Sequence, residues 1–101
     1  MEIILVSFES LEDAEKTANH FIDNKLAACV EIYPVTNFYT WKGEKIKAQE
    51  ISGVIKTSDG MFEKVKEELG KILSYETPQI IRIEASANKE YLEWMKESLK
   101  K

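Results

Sequence analysis

Residues 26–57, LAACVEIYPVTNFYTWKGEKIKAQEISGVIKT, decide the fold. From Leu26 to about Trp41 the stretch is dense in β-branched and aromatic side chains: Val30, Ile32, Tyr33, Val35, Phe38, Tyr39 and Trp41. That composition fits a pleated, half-buried surface and predicts a long strand. Pro34 has no N–H to give to a ladder, so it marks an exposed edge or a bulge. Trp41-Lys42-Gly43-Glu44 is a hairpin tip, with Gly43 supplying a left-handed conformation. A second strand returns from about Lys45 to Thr57. Its apolar residues change phase, from even positions (Ile46, Ala48) to odd ones (Ile51, Ile55). A phase change inside one strand predicts a bulge near Gln49 and Glu50. Both strands greatly exceed the usual five or six residues. The surplus needs cover, and sister chains are the obvious source.

Outward from the hairpin, the flanks read as shorter elements. Upstream, Glu2 to Phe8 is a strand whose continuous apolar run, Ile3 to Val6, suits cover on both faces. Ser10, followed by Asp13, caps a helix that runs to about Asn24. Leu11, Ala14, Ala18, Phe21 and Ile22 form its apolar stripe. Downstream, Ser58 or Thr57 caps a second helix ending near Leu73, with Phe62, Val65, Leu69 and Ile72 inward. A strand covers Gln79 to Ala85, and Asn88 caps a last helix carrying Tyr91, Leu92, Met95 and Leu99. The order is β-α-β-β-α-β plus a C-terminal helix. This predicts an α+β, ferredoxin-like single domain over 1–101. Right-handed crossovers put both main helices on one sheet face and leave the other open unless subunits associate.

Composition narrows the function classes. Of 101 residues, 44% are hydrophobic, enough for one core without a metal or disulfide staple. Fourteen basic residues are interleaved with eighteen acidic ones, for a net charge of -4. No basic stripe marks a nucleic-acid partner. No apolar run approaches the roughly 20 residues of a membrane span, and the N-terminus lacks the basic flank of a secretory signal. A lone cysteine, Cys29, makes no internal disulfide and fits a reducing compartment, so a cytoplasmic protein is expected. Dinucleotide, phosphate-loop, paired-cysteine and HExxH motifs are all missing from the sequence. No general base with an activating partner is visible, and a protein that is not an enzyme is expected.

A few residues carry candidate chemistry. Cys29 reads either as a soft-metal ligand or reactive thiolate, or as a small buried apolar residue in a central strand. His20, the one histidine, lies off the apolar stripe of its helix and reads as solvated. Phe38, Tyr39 and Trp41, near the hairpin tip, suit an oligomer interface, a ligand-stacking site or a fold back onto the chain's own core. Lys56, at the entry to the second helix, could hold an anion or be a plain surface lysine. Tyr75 reads as a cleft residue, and Glu76 as a hydrogen-bond acceptor or cation ligand. The alternative for that segment is a turn fixed by Pro78.

Several segments occur together in register: Lys25-Leu26-Ala27-Ala28-Cys29-Val30, Tyr39-x-Trp41-x-Gly43, Ile55-Lys56-Thr57, Tyr75-Glu76-Thr77-Pro78 and Tyr91-Leu92-x-Trp94. In this order and spacing the whole chain resembles the CutA family of small divalent-cation tolerance proteins. The resemblance implies a homotrimer similar to the PII signalling trimers, with long hairpins pairing with neighbouring subunits. It also implies a cytoplasmic role in tolerance of copper and other divalent cations, without an established reaction. An alternative is a PII-like signalling trimer that holds a small anionic ligand between subunits, with Tyr39, Trp41, Lys56 and Tyr75 lining the cleft. The chain departs from the family at metal-relevant positions. Ile72, Leu73 and Ser74 stand where members commonly carry His-Pro, in some cases with a second histidine. Val6 stands where copper-binding members can carry a cysteine, and Glu31 replaces the usual Asn. A copper or other divalent ion would therefore fall to Cys29, Glu31 or surface carboxylates, a different and weaker site.

Overall fold

The computed structural model describes residues 1–101. Its elements, in order, are β1 (Glu2–Phe8), α1 (Leu11–Asp23), β2 (Cys29–Trp41), β3 (Glu44–Thr57), α2 (Phe62–Ile72), β4 (Ile80–Glu84) and α3 (Lys89–Ser98). They form one antiparallel sheet of order β2-β3-β1-β4. This is the ferredoxin-like arrangement with a C-terminal helix. Pro34 sits in β2, an outer strand of the sheet, where its missing N–H costs no ladder bond.

One face of the sheet carries the core. Ile4, Val6 and Phe8 of β1 pair across to Ile55, Gly53 and Ile51 of β3, and this face packs on Ala14 and Phe21 of α1 and Val65 and Leu69 of α2. Ser10 caps α1, its side chain accepting from the Asp13 N–H at 3.1 Å. The buried stripe of α1 is Ala14, Thr17 and Phe21, whereas Leu11 and Ile22 are exposed. Thr17 can line the core because its hydroxyl donates to the Asp13 carbonyl at 2.9 Å, which removes the cost of burying it. The second helix starts later than its sequence suggests. It opens at Met61 and Phe62 without a side-chain cap, and Ser58 does not cap it. Thr57 is still in β3, fully buried, and donates to the Leu26 carbonyl at 2.8 Å to close the base of the hairpin. Asn88 precedes α3 as expected, but its amide reaches Glu90 rather than a helix N–H.

The expected bulge does not exist. β2 and β3 stay in one register from Cys29↔Lys56 to Trp41↔Glu44, and β1 and β3 from Glu2↔Thr57 to Phe8↔Ile51. The phase change is nonetheless visible in burial: Gly53, Ile55 and Thr57 are covered at the base, and Ile46, Ala48 and Glu50 are half-covered further out. The helical layer covers odd positions only as far as Ile51. Beyond it the even face becomes the more sheltered one. A change of cover, not an inserted residue, moves the apolar pattern.

That same point divides the hairpin. β1 reaches β3 only over Ile51–Thr57, so Glu44–Glu50 pairs with β2 alone as a two-stranded ribbon. Thirteen residues of β2 span about 43 Å at 3.3 Å each. This length sets the 45 × 23 × 22 Å envelope. The radius of gyration is 14.3 Å, against about 13 Å for a compact chain of this length. Only 16 of 101 residues are buried, so one chain alone has a small core. The face away from α1 and α2 shows Ile81, Ile83 and Tyr33 exposed, with Ile3, Leu5 and Val54 only half-buried. The two-sided cover expected for β1 is thus present on one side only.

Candidate functional site

The β4-proximal loop after α2 folds across the base of the ribbon, and the space between them is a cleft of about 490 Å³. Its walls include Tyr39 and Trp41 from β2, Glu50 from β3, and Tyr75 and Glu76 from the loop; Glu9, just past β1, also faces it. Glu50 is the fixed point. Its Oε1 accepts from the Asn37 amide at 2.9 Å, and its Oε2 accepts from the Tyr75 hydroxyl at 2.5 Å. Burial, followed by the hydrogen bond to Glu50, holds the Tyr75 phenol far above the usual tyrosine range, so it stays a donor. Nearer the tip, Lys42 pairs with Glu76 at 3.5 Å and lies over the Trp41 ring at 5.7 Å. The loop is therefore tied to the hairpin at two points.

The tip geometry that makes this possible is local. Lys42 and Gly43 both have positive φ, 50° and 81°, forming the two-residue turn whose twist matches antiparallel strands. Phe38, Tyr39 and Trp41 remain exposed, Phe38 by 65%. They do not fold back onto the core.

The structure brings Tyr39, Trp41, Tyr75 and Glu76 together, but it places Lys56 elsewhere. Lys56 lies six positions from Glu50 along β3, about 20 Å away. It is also five residues short of α2, so it does not stand at that helix's N-terminus. Instead its ammonium pairs with Glu31, and this hydrogen bond is the main cause that holds it above the usual lysine range. Glu31 is thereby engaged by a cation of its own chain. Cys29 shares that face of β2 but is only half-buried and lies on an outer strand, not a central one. No group of three or more His, Cys, Asp or Glu side chains converges within the chain, so Cys29 and Glu31 alone do not make a closed cation site. His20 lies off the buried stripe with 41% of its side chain exposed, as expected, and it also faces Glu68 of α2 at 3.7 Å. Burial would raise the Glu68 carboxyl, but Lys71, Lys64 and His20 around it hold it below the usual range.

Sequence reading missed Glu50, Asn37 and Glu9. The available signal was position: Glu50 falls on the same even face as Ile46 and Ala48, where a strand carboxylate needs partners. Those partners come from 13 and 25 residues away and leave no local pattern.

Residues 2–98 match the family described as CutA1 divalent ion tolerance protein. The chain belongs to this family. It is 36% identical over 99 residues to the divalent-cation tolerance protein CutA of Thermus thermophilus, covering 96% of each chain. Its fold superposes with a TM-score of 0.94 on a structure described as the periplasmic divalent cation tolerance protein CutA from Archaeoglobus fulgidus, at 36% identity, covering 99% of this chain and 100% of that one. It also superposes with a TM-score of 0.90 on the PII-like protein CutA from Nostoc in apo form, at 29% identity, covering 99% and 98%. No helix is long and apolar enough to cross a membrane.

Proposed function

We propose that the chain works as a homotrimer in the tolerance of divalent cations, by binding rather than by catalysis. The observation that carries this reading is the ribbon Glu44–Glu50, which pairs on one side only. An isolated two-stranded ribbon is marginal in water, and its free edge is a template for another chain's backbone. Family membership supports the cation role, and the lone thiol supports a cytoplasmic setting. Cys29 is the softest donor available for copper, and a site with adequate ligands would draw on more than one subunit.

Light scattering at micromolar concentration tests the assembly: a mass of three chains is expected, and a well-folded single chain would overturn it. Copper titration under reducing conditions tests the site. Uptake should exceed that of a Cys29→Ala control, and equal uptake would rule out the thiol as a ligand.

A second reading, a signalling trimer that responds to a small ligand, is favoured by the cleft between ribbon and loop and by likeness to the PII-like Nostoc protein. If that ligand were an anion, Lys56 would have to reach the cleft from a sister chain.

A further inference from the structure

We infer that the cleft between the ribbon and the 73–79 loop takes an organic cation, an amine carried on a short aliphatic chain. The inference rests on the ligand-responsive reading above and specifies the ligand's charge. Three carboxylates line the cleft, Glu9, Glu50 and Glu76, and no Lys, Arg or His does. Only Glu76 has an ion-pair partner, Lys42. Glu9 has none, and Glu50 accepts only from two uncharged groups, the Asn37 amide and the Tyr75 hydroxyl.

The rest of the lining separates an organic cation from a metal ion. A divalent metal needs several oxygens at about 2.0–2.6 Å from one point, and these carboxylates do not converge on one. An ammonium on an alkyl chain needs no such convergence. It can pair with one carboxylate while its chain lies along the aromatic side chains Tyr39 and Tyr75; the Trp41 ring also lines the cleft, but the Lys42 ammonium already lies over it at 5.7 Å. A volume of about 490 Å³ lies in the usual range for small-molecule sites. Tyr75 keeps its proton and donates to Glu50, so the cleft has a fixed polar end as well as apolar walls.

The test uses the full-length assembly with 1,4-diaminobutane and succinate as probes, equal in carbon number and opposite in charge. Trp41 fluorescence, read in a Trp94→Phe background, should respond saturably to the diamine and not to succinate. Glu50→Gln should weaken diamine binding about tenfold, the scale of one hydrogen bond to a charged group. If Glu50→Gln fails to assemble, Glu9→Gln serves, since Glu9 holds no partner in the structure, and it should weaken binding in the same direction. Calorimetry with each probe checks that the optical change is binding. Succinate binding in place of the diamine, no binding of the diamine, or diamine affinity untouched by Glu9→Gln would each overturn the inference. Succinate binding would overturn the charge assigned here and keep the ligand-responsive reading, whereas binding of neither probe would count against both; neither result bears on the chain count from light scattering.

Discussion

Gly53 shows how tightly a single position can be set. An added Cβ there would lie 2.7 Å from Phe8 Cε2 and 2.9 Å from Val6 Cγ1, both fully buried side chains. Neither is a flexible tip that can swing into water. Gly53→Ala should therefore destabilise the fold by about 1–3 kcal/mol, the cost of overpacking a filled core, measured as a fall in denaturant midpoint. Tyr75 is set by a polar contact instead. Tyr75→Phe removes the hydroxyl that Glu50 accepts and should cost about 1 kcal/mol. Its pH signature has a definite sign. The folded-state pKa lies above the unfolded value of 10.0, so the stabilisation is complete below about pH 10 and is lost as pH rises beyond it. Wild type should lose stability above pH 10 more steeply than Tyr75→Phe, in urea unfolding run across that range. An equal slope for the two proteins would deny Tyr75 its place against Glu50.

Among the elements, the hairpin was the most legible in sequence and also the one misread in detail. Strand content, the tip and the outer-strand proline all follow from local chemistry, and so they could be read residue by residue. The bulge could not be judged that way, because the phase of Ile46, Ala48, Ile51 and Ile55 records which face is covered, and cover is supplied by α1 and α2 from distant sequence. The start of α2 was misplaced for a related reason: Thr57 looks like a cap, but its hydroxyl is already taken by Leu26 across the hairpin base. In the cleft, the aromatic residues and Tyr75-Glu76 stood out by type. Glu50 was one acid among eighteen until the loop crossed it. The turn itself offers a clean test. At Gly43, φ is 81° and nothing lies within 4 Å of an added Cβ, so Gly43→Ala would meet backbone strain alone. A loss of about 1 kcal/mol is expected, and fraying should be confined to amides near the tip in hydrogen exchange. A loss spread over β1 as well would mean that the ribbon is not a separable part of the sheet.

At the scale of the molecule, the sheet has one face built for helices and another that a single chain leaves unfinished. Ile83 on β4 and Leu11 on α1 are both large, apolar and exposed, at 43% and 52%. They differ in side: Ile83 pairs with Ile3 on the face away from the helices, whereas Leu11 lies on the outer surface of α1. If sister chains cover the open face, Ile83 becomes interface and Leu11 stays wet. A carboxylate placed at each position separates the two cases, because a buried unpaired charge is expensive and an exposed one is not. Ile83→Glu should shift the scattering mass from three chains toward one. A loss of roughly 3 kcal/mol corresponds to a fall in Tm of roughly 10–25 °C for a domain of this size, and the Tm should then rise with protein concentration, as mass action requires. Leu11→Glu should leave mass and Tm nearly unchanged. If both substitutions proved equally silent, the open face would not be where the chains meet, and the unpaired edge of Glu44–Glu50 would have to hold the assembly without it.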